Sequence, residues 1–192
     1  MEVQARHSPA RQRLLDAADE LFFLNGIART GVDEVLQRAG VSVATLYAQF
    51  GSKDGLLQAS LQRRLEIWEA YWDEAIRAAN SDQDRLLAVF DALELYRARQ
   101  HNVRWCAFLS TAVEISGTGH PAGDLIGADT ALLTRRLQGL SEPLAGARAE
   151  DLAAAILLIY NGTLTSFLRG SPSDPISQGR RIAALTASTF TG

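Results

Sequence analysis

Apolar residues recur at intervals of three and four along almost the whole chain, and no stretch alternates in the two-residue rhythm of a half-buried strand. The pattern predicts an all-α protein of about nine helices, separated by Gly, Pro and Ser/Thr/Asp caps. The first helix opens at Ser8-Pro9, with Ser8 as cap and Pro9 where no backbone N–H is needed. Leu14, Ala17, Ala18, Leu21 and Phe22 form its inward stripe, and Gly26 stops it. A short second helix begins at Thr30, where Thr30 and Asp33 have capping spacing, buries Val32, Val35, Leu36 and Ala39, and ends at Gly40. Ser42 caps a third, through Leu46 and Tyr47 to Phe50. Ser52 then caps a long helix over about 53–80, followed by helices to about 100, over 103–115, to about 140, and over about 148–169 and 175–189. The breaks fall at Asn80-Ser81-Asp82, Gly117 to Pro121, Ser141-Glu142-Pro143 and Gly170-Ser171-Pro172.

Two short helices joined by a turn containing Gly have the layout of a helix-turn-helix, whose first helix props the second into the DNA major groove. The residue types suit that task. Gly40 tolerates the turn's backbone, Ala39 is small where the helices cross, and Val41 and Leu46 weld the second helix to the first. Ser42, Val43, Ala44 and Thr45 present small or polar side chains at its N-terminus.

Charge changes the picture in one respect. The net charge is −3, and residues 1–55 hold six basic against seven acidic side chains, so the chain has no basic patch in bulk. Lys53 is the only lysine. Any grip on DNA must therefore come from where particular groups sit. The other composition signals mostly exclude. One cysteine, Cys106, rules out an intramolecular disulfide and a Cys-rich zinc site. His7, His101 and His120 offer no metal-ligand spacing, so no metal and no cofactor is expected. The charged N-terminus is unlike a secretory signal. The longest apolar run, Leu152 to Tyr160, is nine residues, against the ~20 that a bilayer needs. A cytoplasmic protein without a membrane partner is expected.

The run Arg13-Leu14-Leu15-Asp16-Ala17-Ala18, Leu21-Phe22, Gly26, Thr30, Ala39-Gly40-Val41-Ser42, Thr45-Leu46-Tyr47 and Phe50-Gly51-Ser52-Lys53-Asp54-Gly55-Leu56-Leu57 resembles the signature of the TetR family of bacterial repressors. The resemblance covers residues 10–57 without gaps. It implies a DNA-binding domain over 1–52 and a helical effector-binding and dimerisation domain over 53–192. It also implies roles. Thr30 would offer its N–H and hydroxyl to a phosphate, and Ser42, Thr45 and Tyr47 their hydroxyls to phosphates or base edges. Val43, Ala44 and Gln49 would face the bases, and Lys53 would clamp the backbone. Two departures stand out: Val43-Ala44 where many members carry Lys-Gly, and Gln49 where His is common. Val43 and Ala44 suit thymine methyls, and Gln49 an adenine edge.

In the body, the resemblance points to an effector pocket among Trp68, Trp72, Phe90, Trp105, Phe108 and Tyr160, with Arg104 and Glu114 supplying polarity. The helix over 148–169 is apolar on almost every side, so one face packs on the body and another needs a partner. Leu152, Ile156, Ile159, Thr163 and Phe167, with Ile182, Leu185 and Phe190 of the last helix, are the expected homodimer contacts. The implied function is a homodimeric repressor released from a palindromic double-stranded DNA operator by a small, mostly apolar effector. Two alternatives stay open. One keeps the DNA contact but is regulated through a protein partner. The other is a helical enzyme, against which the chain has no G-x-S-x-G, no Gly-rich phosphate loop and no nucleophile–base grouping.

Overall fold

The computed structural model describes residues 8–99, 106–116 and 119–190. Among these no strand forms, and nine α-helical segments follow one another: α1 Pro9–Asn25, α2 Val32–Ala39, α3 Val43–Phe50, α4 Lys53–Ala78, α5 Asp82–Arg99, α6 Ala107–Ile115, α7 Gly123–Ala145, α8 Ala149–Arg169 and α9 Pro175–Ser188. The fold is all-α, as the periodicity requires. The described residues form two compact units, those within 1–65 and 102–127 and those within 66–101 and 128–192.

In the first unit the local signals act as their chemistry dictates. The Ser8 side chain accepts from the Arg11 N–H at 3.2 Å, and Leu14, Ala17, Ala18 and Phe22 of α1 are buried. Gly40 takes a left-handed conformation (φ 62°) that an L side chain adopts only at a cost of about 1–2 kcal/mol. Its N–H bonds to the Gln37 carbonyl and that of Val41 to the Leu36 carbonyl, which closes α2 and turns the chain into α3. Arg13 Nε adds a third cap, donating to the Ala39 carbonyl at 3.0 Å. Ser52 caps α4 by accepting from the Gly55 N–H at 2.9 Å. Leu56, Leu57 and Leu61 of α4 are fully buried, and Arg63 pins α4 to α1 through Asp16 and Asp19, each at 2.7 Å.

The start of α2 differs from the expectation. Gly31, not Thr30, is its N-cap, and no side chain caps it. Thr30 turns inward, toward two carbonyls at the C-terminal end of α1 and in the turn after it. Its hydroxyl donates to the carbonyls of Gly26 (2.8 Å) and Leu21 (3.1 Å). Asp33 and Glu34 support the uncapped helix by their charge in its first turn.

The second unit is built on α5, α8 and α9 with the rest of α4 and α7. Leu86 to Phe90 of α5 are all buried, and α9 packs on both α8 and α5. Gly179 makes that crossing close, since a Cβ there would overlap the Thr163 hydroxyl of α8 and lie 3.0 Å from the Phe90 ring. The expected break at Ser141-Glu142-Pro143 falls instead at Gly146. Pro143 lies inside α7, where it and Gly139, whose carbonyl it leaves unpaired, are both solvent-exposed, so water can take the lost bond. The chain turns through a 3₁₀ segment, Gly146–Arg148, with Gly146 at φ 52°. The run Gly123–Arg169 contains a window with mean hydropathy 1.4, long and apolar enough to cross a bilayer by length and composition. Leu152, Ile156 and Tyr160 within that run are buried inside the unit.

Candidate nucleic-acid interface

Helix α3 separates its two faces within eight residues. Leu46 is 1% exposed and anchors the helix on the unit's core, whereas the next residue, Tyr47, is 53% exposed. Val43 is 51% exposed, and Ser42 and Ala44 are exposed beside it. Ala48, which sequence reasoning passed over, shares that face and adds a second methyl surface. Ser42 caps the helix, accepting from the Thr45 N–H at 3.3 Å, and the Ser42 and Thr45 hydroxyls lie 2.9 Å apart. Each hydroxyl keeps hydrogen-bonding capacity for an outside group. Gln49 is half-buried at the edge of the face. An exposed helix surface of methyls, hydroxyls and one phenol matches the size and polarity of base edges and phosphates in a major groove.

Two further positions behave differently. Thr30 is 1% exposed, and both its N–H and its hydroxyl are spent on carbonyls inside the unit. It therefore props the α1–α2 turn and offers nothing to a phosphate. Lys53 is half-buried at the start of α4, with Nζ donating to the Ile27 carbonyl at 2.6 Å and lying 5.7 Å above the Phe22 ring. An ammonium has three donors, so two stay available.

The scarcity of free positive charge is real at the level of contacts. Arg11 stacks on Phe50 at 4.5 Å, Arg13 is bound to the Ala39 carbonyl, and Arg38 pairs with Glu20 at 2.6 Å. Arg29 is exposed and has no ion pair or hydrogen bond among the described residues.

The body residues divide. Trp68, Trp72, Phe90 and Tyr160 form one aromatic cluster in the second unit, with Trp68 5.9 Å from both Trp72 and Tyr160 and Phe90 6.2 Å from Tyr160. Tyr96 joins it at 6.2 Å from Trp68. Trp72 is fully buried, and its Nε1 has no hydrogen-bond acceptor among the described residues. Phe108 and Glu114 belong to the first unit and not to this cluster. Phe108 is core there, and the Glu114 carboxylate accepts the Ala28 N–H at 2.9 Å. Arg104 and Trp105 lie outside the described residues. The second unit also has an open groove of about 500 Å³ lined by Glu74, Asp84, Asp91, Glu94 and Arg180, whose charge sets it apart from the apolar pocket expected.

The expected dimer contacts are also corrected in part. Leu152, Ile156 and Thr163 are buried within the chain, because α9 and the unit's core claim that side of α8. Phe167 carries the Arg97 guanidinium on its ring at 3.7 Å, and Phe190 carries Arg148 at 4.9 Å. Ile159 is half-buried. Ile182 and Leu185 of α9 are exposed, at 48% and 62%, and the exposed apolar residues of α8 are Leu158 (73%) and Leu168 (52%).

Comparison with known proteins bears on the first unit most strongly. Residues 14–60 match the family described as bacterial regulatory proteins, tetR family. An HTH-type transcriptional activator, FasR of Mycolicibacterium smegmatis, is 39% identical over 43% of this chain, and the match spans only 37% of that protein. A TetR-family transcriptional regulator from Streptomyces coelicolor has the same fold throughout, with a TM-score of 0.90, 23% identity, and 100% of this chain and 95% of that chain covered. FadR from Bacillus subtilis, solved in complex with stearoyl-CoA, has a TM-score of 0.74 at 18% identity, covering 92% of this chain and 97% of that chain.

Proposed function

We propose, on the premise that this chain belongs to the tetR family of bacterial regulatory proteins, that it is a cytoplasmic homodimeric repressor which leaves a palindromic operator when a small, mostly apolar effector binds. The observation that carries the DNA-binding part is the division of α3 into a buried Leu46 and an exposed face of Ser42, Val43, Ala44 and Tyr47. A face with no Lys or Arg reads sequence by methyl contacts and hydroxyls, with Lys53 supplying one full charge per head.

Four observations support the remaining parts. The exposed Leu158, Leu168, Ile182 and Leu185 give α8 and α9 an apolar face for a second copy, and a dimer with two heads suits half-sites one DNA turn, about 34 Å, apart. The aromatic cluster around Trp68 and Trp72, with the Arg136 guanidinium 4.8 Å from the Trp72 ring, contains one buried N–H in want of an acceptor. Such a donor costs about 1–3 kcal/mol until something accepts from it, and an effector carbonyl or carboxylate would. FadR, a protein of the same fold, carries an acyl-CoA. Helix α4 contributes to both units, so an effector that prefers one setting of α4 shifts the heads' register by its differential affinity alone.

The test is a gel-shift titration on the DNA flanking the gene, with wild type, Tyr47→Ala and Lys53→Ala. The expected result is a shift by wild type, loss of 10-fold or more in affinity for Tyr47→Ala (about 1.4 kcal/mol), and a salt slope lowered by about 1 per head for Lys53→Ala. Unchanged binding by both variants would remove these residues from the interface. A reporter under the same DNA distinguishes repression from the activation named for FasR.

A further inference from the structure

The Ile27–Ala28 peptide group is held at both ends by charged side chains. Lys53 Nζ donates to its carbonyl at 2.6 Å, and its N–H donates to a Glu114 carboxylate oxygen at 2.9 Å. The Glu114 carboxylate also lies against Gly26, where a Cβ would stand 3.4 Å from Oε1. The neighbouring Gly26 carbonyl is already taken by the N–H and hydroxyl of Thr30. Glu114 comes from the last turn of α6, and Lys53 opens α4. The two side chains are thus joined by a single amide.

A peptide dipole has its positive end at the N–H and its negative end at the carbonyl. A carboxylate on the first and an ammonium on the second are both aligned with it, so each bond polarises the amide in favour of the other. We infer that Glu114 is a positioning residue for Lys53, acting through the Ile27–Ala28 amide to fix where that ammonium stands at the head of α4. The inference rests on the reading of Lys53 as a phosphate contact. One donor is spent on Ile27, and the two left over are aimed from a fixed point instead of from the end of a free four-carbon stem. Two nearby ties fasten the same stretch of chain without touching this amide: His120 Nε2 to Asp54 at 3.4 Å, and Gln58 Nε2 to the Pro121 carbonyl at 3.0 Å. They separate a specific link from general loosening.

Because Lys53 is the only lysine, its reactivity can be read without DNA. The full-length chain is treated with limiting acetic anhydride, and mass spectrometry gives acetylation at Lys53 relative to the terminal amine. Glu114→Ala is expected to raise that ratio about 3-fold, and Glu114→Gln, which keeps an acceptor but loses the charge, by less. His120→Ala and Gln58→Ala should leave it at the wild-type value. Thermal melts show that each variant is folded, and Glu114→Gln carries the test if Glu114→Ala is not. An unchanged ratio in the folded Glu114 variants, or an equal rise in His120→Ala, overturns the inference. Gel shifts with the same proteins keep the two ideas apart. A raised ratio with unaltered DNA affinity upholds the link and removes Lys53 from the phosphate contacts.

Discussion

Helices α3 and α8 are both apolar over much of their surface, yet what each face does is decided at different distances along the chain. In α3 a capped N-terminus, eight residues and the Gly40 turn before it fix which side is buried, so Leu46 goes in and Tyr47 out. In α8 the apolar residues run around the helix, and the choice between Ile156 (0% exposed) and Leu158 (73% exposed) is made by its neighbours, α9 first among them. A function written on a short, locally determined helix travels with its sequence motif. A function written on a helix with several apolar faces depends on which neighbours arrive first.

Exchanging buried for exposed positions in each helix tests this contrast. The largest effects are in the cores. Leu46→Ala is expected to cost about 3 kcal/mol in urea unfolding, whereas Tyr47→Ala stays within about 0.5 kcal/mol. In α8, Ile156→Ala should cost a similar 2–4 kcal/mol by the same roughly cavity-dependent term. Leu158→Glu should leave protomer stability nearly unchanged and move the sedimentation coefficient from dimer to monomer. If Leu158→Glu stays dimeric, the exposed face of α8 is not the contact.

An intermediate effect is expected where α8 meets α9. Gly179→Ala places a methyl against Thr163 and Phe90, and overpacking of this kind costs about 1–3 kcal/mol. Calorimetry should show it as a lower melting temperature, and Thr163→Ser should not rescue it because the hydroxyl is the atom struck.

The smallest is a pH effect in α7. Burial pushes the Asp129 carboxyl up to about 7. The folded chain then holds this proton more tightly than the unfolded chain, whose carboxyl titrates near ~3.9. The stability this gives is complete below the unfolded value and is lost as pH rises through about 7. Asp129 is only half-buried, so solvent screens part of the cost and the effect is on the order of 1 kcal/mol. Asp129→Asn should therefore flatten the fall in stability that wild type shows in urea titrations between about pH 4 and about pH 7.

Much of the fold was legible because its signals are local. Ser8-Pro9, Gly40, Ser42 and Ser52 each act within one helical turn, and each does in the structure what its chemistry suggests. Thr30 was misread because capping spacing looks the same whether a hydroxyl faces the helix start or the carbonyls of the turn behind it. Pro143 was misread because a proline at an exposed helix position, where water can reach the carbonyl it orphans, need not end the helix. The head's exposed face could be named in advance from Ser42 to Tyr47. The role of Glu114 could not, since its partner Ala28 lies 86 residues away and a lone acid at a helix end has no pattern. For the same reason Phe108, expected in the effector pocket, could not be placed in the core of the first unit from sequence.

The central claim is that α3 carries a DNA-reading face separable from the core that holds it. Selection of duplexes from a random pool by the purified full-length protein tests this most directly, because no operator need be known. Wild type should enrich an inverted repeat with half-sites about one helical turn apart, roughly 10 bp. Tyr47→Ala, folded and as stable as wild type, should enrich nothing or a degraded site. Equal enrichment of the same repeat by Tyr47→Ala, or no enrichment by wild type, would contradict the account.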